Sequence, residues 1–561
     1  MGTVEAERIF TGARLVDPGQ ARTAAAPAHR PAAEAPAALA VAGGRILAAG
    51  PAGEVLGLRG PRTEVVDLEG AWLLPGLIDS HAHLLALGLA AQELDLSDSR
   101  SPEELESRLR RYAAEHPELP WITGRGWDES RWPERRLPRA EELDRAVADR
   151  PVVLERVCGH GAVLNGEALR RSGLAGSSGD PPGGRVDRDA HGRPLGTVWD
   201  AALERVRALL PPPSEERVLR AMRWALRRAR ELGLTQVHSE DLGALGAAGL
   251  ESPRRLLELW RRALGAPEGR AASAPPLRLA LLLRQEALER IAAEGLTLGS
   301  GDEALWVAGV KFFADGALGG RTAWLGRPYA DAPGWSGLAA MPPGLLAERA
   351  AEAARLGLPP VVHAIGDAAV DAALAALERA RPALAAARGR PRPRFRIVHA
   401  QVLRPDQLPR LAREELVLDI QPGFVATDSA WAEARLGAER LGAAYAWRSL
   451  LDAGVRLAGG SDAPVESLDP LAAVEAAVRR PRAGDGAPWR PEEALTRAEA
   501  FSLYTEGGAW AAGLEDRFGR LVPGFAADLT LLAFDPLRDP VPARGGVLGT
   551  VVAGRPGEGL P

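Results

Sequence analysis

Six residues have the type and placement to do chemistry together. His81 and His83 form an H-A-H triplet, and the strand period of two puts both imidazoles on one face, where they can grip one cation. His363 in VVHAIGD and His399 in RIVHAQVL end two further apolar runs and can hold a second cation. Asp462 ends another run in GGSDAP, and its hard carboxylate suits a metal or a metal-bound water. Lys311 is the one lysine among 69 basic residues; all the others are arginine. Arginine stays protonated in proteins, whereas a buried lysine can lose its proton and act as a nucleophilic amine. The surviving lysine is therefore a candidate for chemistry that arginine cannot do. A single strand-end histidine is usually structural, but these six residues taken jointly point to a site.

The elements that must position them are short apolar runs alternating with helical patterns, the signature of parallel βα units. Eight such runs can be counted, near Leu73, Leu234, Leu277, Val307, Pro359, Phe395, Leu416 and Val455. Segments such as ERVLRAMRWALRRARELG and LLAERAAEAARLG between them have helical periodicity and stop at glycine. The expected class is α/β, a (β/α)8 barrel, and barrel active sites lie at the C-terminal ends of the strands, where the six residues fall. The interval between the first and second runs is too long for a connection and is read as an inserted subdomain, residues 92–214.

The two chain ends share a texture of short strands and turns, as in RIFTGARLVD and GRLVPGFAADLTLLAFDP. They are expected to pair into one small β-sandwich domain, residues 1–72 with 515–561, flanking a barrel over 73–514. The Ala/Pro stretch from Ala24 to Ala37 reads as a surface loop.

With 561 residues, 46% apolar and 25% charged, the chain is neither disordered nor fibrous. A net charge of −5 with arginine and glutamate interleaved argues against a nucleic-acid partner and for a small molecule, with a homo-oligomer left open. No apolar run is long enough to cross a membrane, and the start MGTVEAERIF lacks a signal-peptide layout. One cysteine, Cys158, excludes an intramolecular disulfide, so a cytoplasmic location is expected.

The arrangement resembles the metal-dependent amidohydrolase superfamily, and within it the amidohydrolase 3 subgroup that contains N-substituted formamide deformylase. The motifs that carry the likeness are LLPGLIDSHAHL, VKFFADGALGGRTAWL, VVHAIGDAAVDAAL, RIVHAQVL and GGSDAPVESLDPL. In the insertion, GRGWDESRWP, LERVCGHGAVLNGEAL and GGRVDRDAHGRPLG are similar to that subgroup too. The resemblance implies two divalent metals, zinc being the expected pair. His81 and His83 would bind one with Asp462, and His363 and His399 the other. Lys311 would react with CO₂ to form a carbamate bridging both. Asp462 would shuttle a proton from a metal-bridged hydroxide to the departing nitrogen. The implied activity is hydrolysis of a non-peptide C–N bond in an amide, N-formyl or N-acyl group of a small molecule. A cyclic amide, a carbamate or an ester is the alternative substrate, and a catalytically silent barrel with a binding role is the alternative class.

Substrate contacts are expected from the insertion residues Trp127, Asp128, His160 and Asn165 and from Arg321 in GALGGRTAW. Each has a structural alternative: a buried tryptophan, a helix cap at Asn165 before GEALRR, an ion pair at Arg321. His238, which ends the second run, is expected beside the pocket.

Overall fold

Short strands that are buried along their whole length need cover on both faces, which a parallel sheet wrapped by helices supplies. In the computed structural model the eight runs form one such sheet: β1 (Leu77–Ala82), β2 (Leu234–Glu240), β3 (Arg278–Arg284), β4 (Leu305–Phe313), β5 (Pro360–Ala364), β6 (Phe395–His399), β7 (Leu416–Ile420) and β8 (Leu457–Gly459). The structure describes the chain except residues 1–4, 24–36, 130–131, 157–160, 177–179, 182–183, 246–251, 266–274, 388–390, 485, 558–559 and 561. The Ala24–Ala37 stretch up to residue 36, with His29, Cys158 and His160, thus lies outside the described residues.

Each barrel strand pairs in parallel with its sequence neighbour, in the order β8-β7-β6-β5-β4-β3-β2-β1. The barrel is nearly closed: beyond the ladder, Asp462 N–H donates to His81 O and His83 N–H to Ala463 O, both at 2.8 Å. Ile78, Ala280, Leu282, Trp306, Val361 and Val398 pack with Leu514 and Phe518 in one apolar cluster. Among the described residues, no helix is long and apolar enough to cross a membrane.

The first apolar run is split. Trp72–Pro75 pairs with Leu529–Leu532 and with the start of the chain, and the barrel strand begins only at Leu77. Gly76 makes the switch possible, because a Cβ there would come within 2.1 Å of the Thr235 hydroxyl. A second sheet joins strands from both chain ends, in the order Arg555–Pro556, Val547–Val552, Leu529–Leu532, Trp72–Pro75, Ala6–Leu15, Ala37–Ala42, Arg45–Pro51, with Arg59–Asp67 also on Ala6–Leu15. Phe10, Leu39, Leu73, Leu529 and Val551 form its core.

Residues 1–87 with 222–561 form one compact unit and residues 88–221 a second. The second unit holds a six-stranded sheet from Leu94–Asp95 to Gly184–Arg188, with Leu105, Leu109, Trp127, Trp132 and Leu154 in one core cluster and Val153, Leu164, Leu169 and Val198 in another.

In the first unit, Arg278 at the start of β3 is buried and forms a bidentate ion pair with Asp528, at 2.5 and 3.1 Å. Asp528 Oδ1 also accepts the Ala553 N–H at 2.7 Å. Removing one partner of a buried pair leaves an uncompensated charge, so Asp528→Ala is expected to cost about 3–5 kcal/mol of stability. Urea unfolding of the variant beside the parent measures it; a loss below about 1 kcal/mol, the range of a surface pair, contradicts it.

Candidate metal centre

The ladder register sets the depth of each side chain. Phe313 of β4 pairs with His363 of β5, and Ala364 of β5 with His399 of β6. Lys311 pairs with Val361, two residues before His363, so it lies one pleat deeper and is 1% exposed. At β8 the turn after Gly460 brings Asp462 against β1. Gly460 passes so close that a Cβ would lie 2.8 Å from His81 N. Asp462 (φ 58°) and His399 (φ 82°) both adopt left-handed backbone that non-glycine residues rarely take, a strain found where function over-determines geometry.

All six residues meet in direct contacts around two points. Asp462 Oδ1 lies 3.3 Å from His81 Nε2 and 3.2 Å from His83 Nε2, and Lys311 Nζ is 2.8 Å from His81 Nε2. His81, His83 and Asp462 offer ligand atoms within 4.8 Å of one another. His399 Nε2 faces His363 Nδ1 at 3.0 Å. The two groups adjoin, with the His81 and His399 ring centres 6.0 Å apart.

The protons on the second pair can be assigned from the partners. Gln421 donates its amide N–H to Asp419 O at 2.9 Å, so its carbonyl oxygen faces His399 Nδ1 at 2.8 Å, and that nitrogen carries the proton. His363 Nε2 faces the Gly316 carbonyl at 2.9 Å and must likewise carry its proton. Burial drives both rings below the ordinary imidazole range, His399 to about 4, so both are neutral. Two lone pairs then confront each other, an arrangement that a cation among them stabilises.

At the other point, burial lowers the basicity of His83, but its contacts with Asp462 and Glu240 outweigh that and raise it to about 10. Its Nδ1 lies 2.9 Å from Glu240 O. Burial pushes the Asp462 carboxyl up, yet the facing His81 and His83 rings hold it well below the usual carboxylate range. Burial, aided by Lys311, lowers His81, and burial brings the Lys311 amine down to about 8. His81 Nδ1 is buried without a hydrogen-bond partner. Imidazole and carboxylate donors, with the outer nitrogens of His83, His363 and His399 held by carbonyls, are the donor set and supporting layer that divalent metals take, so the residues fit such an ion.

The supporting layer is what sequence reasoning missed. Asp241 accepts the Leu85 N–H, the Ser239 hydroxyl and the Trp260 indole N–H, fixing the turn after His83. Asp315 accepts the N–H groups of Trp324, Ile365 and Gly366 and lies 3.4 Å from His363 Nε2. Asp79 accepts the His81 and Ser461 N–H groups. The available signal was an acidic residue two or three positions from a ligand or at a neighbouring strand end. His238 is buried below the site, its ring between Arg396 and Gln236.

Four of the residues expected to contact substrate make contacts within the protein. Asn165 caps the helix Gly166–Arg171 and uses its whole amide: Oδ1 accepts from Val152 and Ala168 N–H, and Nδ2 donates to Val147 and Arg150 carbonyls. Trp127 is fully buried against Trp132 and donates to Leu154 O. Arg321 spends its fork on Asp331, at 3.0 and 3.1 Å. Asp128 pairs with Arg156 at 3.0 Å. Each of these polar groups thus has a protein partner.

The family model described as "Amidohydrolase family" matches residues 64–556. The chain belongs to the amidohydrolase family. It is a hydrolase of that class, built on the family's barrel. This amidohydrolase is 37% identical to YtcJ of Bacillus subtilis (strain 168), which carries an amidohydrolase name, over 85% of this chain and 86% of that one. It is 29% identical to the N-substituted formamide deformylase of Arthrobacter pascens, over 89% and 90% of the two chains. An uncharacterized metal-dependent hydrolase from Pyrococcus furiosus superposes with a TM-score of 0.75 at 30% identity, covering 95% of this chain and 100% of that one.

A divalent ion at His83 Nε2 must displace the proton that Asp462 and Glu240 stabilise there. Metal uptake at pH 7 is therefore expected to release about one proton or more per chain and to weaken as pH falls. Indicator-dye titration in weak buffer reads it; uptake with no proton released contradicts the assignment.

Proposed function

We propose that this amidohydrolase cleaves a non-peptide carbon–nitrogen bond, in an amide, N-formyl or N-acyl group of a small molecule, by attack of water on the carbonyl carbon. The observation that carries it is the convergence of four imidazoles and a carboxylate at the C-terminal ends of barrel strands, with two imidazole lone pairs opposed at 3.0 Å. Its likeness to the formamide deformylase supports the choice of bond. Cys158 as the single cysteine and a net charge of −5 support a cytoplasmic enzyme with a small-molecule substrate.

Two divalent ions, zinc by the chemistry of the donors, supply when bound a Lewis acid that polarises a carbonyl and makes water acidic near neutral pH. His81, His83 and Asp462 would hold one, and His363 and His399 the other. Lys311 would add an anionic ligand as a carbamate: its neutral amine adds to the carbon of CO₂, one C=O π bond opens onto oxygen, and the nitrogen gives up a proton to solvent. Burial, which lowers the amine to about 8, makes the neutral form accessible. Asp462, 7% exposed at the mouth end of the site, accepts the proton of the attacking water and delivers it to the leaving nitrogen. The facing His81 and His83 rings keep it ionised at neutral pH, the form that can take a proton.

Turnover of an N-formyl and N-acyl panel tests this reading. Asp462→Asn is expected to lower kcat by about 10²–10⁴-fold, the usual contribution of a positioned acid–base group. Lys311→Arg keeps the charge but cannot form a carbamate, and is expected to lose both turnover and part of its bound metal. Full activity in either variant contradicts the role given to that residue.

A further inference from the structure

His81 of β1 and Asp462, three residues past β8, are placed to hold one ion, yet the described residues show no ladder pairing between the two strands. What joins them is a short lacing beyond the strand ends. Asp79 Oδ1 accepts the backbone N–H of His81 at 2.9 Å and that of Ser461 at 3.1 Å. Ser461 Oγ in turn accepts the Ala463 N–H at 3.1 Å, and Ala463 O accepts the His83 N–H at 2.8 Å. Asp462 N–H closes the set on His81 O at 2.8 Å. One buried carboxylate oxygen therefore touches the backbone of a ligand on one strand and of the residue before a ligand on the other. Asp79 itself is 1% exposed and reaches neither the mouth nor the ligand atoms.

Resting on the reading of this site as a metal centre, we infer that Asp79 is a positioning residue: it sets the spacing between His81 and Asp462, and its loss costs metal affinity while the barrel still folds. The geometry makes this specific. The left-handed backbone at Asp462 has no ladder to hold it, so among the described residues these bonds are what tie the turn to β1. The close pass of Gly460 against His81 leaves no room for the turn to settle nearer.

The test compares Asp79→Ala and Asp79→Asn with the parent in the full chain. Affinity for zinc is read by competition with a chelating dye, and the ligand-field absorption of the cobalt(II) form reads the coordination geometry. Asp79→Ala is expected to bind roughly 10–100-fold more weakly, the effect typical of removing a metal-site support, with an altered cobalt spectrum. Asp79→Asn, whose amide oxygen can still accept both N–H groups, is expected to restore the parent spectrum and most of the affinity. Parent affinity and spectrum in Asp79→Ala overturn the inference, as does equal loss in both variants. If Asp79→Ala does not fold, Asp79→Glu, which moves the oxygen by one methylene, is read in its place: weaker binding with retained fold supports the inference and parent affinity overturns it. His83→Ala is the control, because a parent chain that binds no zinc, or a His83→Ala chain that binds it equally well, refutes the metal centre itself.

Discussion

Electron pairs pointed at one another inside a protein repel, and that constraint organises this molecule. His363 and His399 present opposed imidazole nitrogens at 3.0 Å, while His81 and His83 converge on a single oxygen of Asp462. Such a cluster is stable when a positive charge sits among the donors, whether the His83 proton or a divalent ion in its place. Everything around it keeps the donors from turning away. Gln421, Glu240 and the Gly316 carbonyl fix the outer ring nitrogens, and Asp241 and Asp315 clamp the turns that follow the ligands.

The barrel makes that convergence available. Parallel strands place the ends of β1, β4, β5, β6 and β8 on one rim, and the register sinks Lys311 one pleat below His363. Depth decides the chemistry of Lys311: desolvation brings its amine down to about 8, while at the surface the same residue would remain a solvated cation. The same desolvation keeps His363 and His399 neutral and able to coordinate. The strained backbone at His399 and Asp462 is the conformational cost of aiming these side chains inward.

The strands and the six converging residues were legible because the residues fall at the ends of five apolar runs, and the HxH period is a local property. The first run misled by one feature, since Trp72–Pro75 belongs to the end sheet and only the close packing at Gly76 reveals the switch. The supporting residues were hidden because their partners come from other strands: no pattern within QVHSED says that Glu240 O will meet His83. The partners of Asn165 and Arg321 are local: a helix start one residue on from Asn165 and an aspartate ten residues on from Arg321. Trp127 follows the ordinary rule that a large apolar ring in a small unit fills its core.

In the proposed centre the barrel rim would hold divalent metal through both donor groups. Elemental analysis of full-length protein, purified without chelator and with bicarbonate present, tests it most directly. About two divalent ions per chain are expected, falling to about one in a His363→Ala/His399→Ala variant. Parent protein that holds no metal even after incubation with zinc would contradict it.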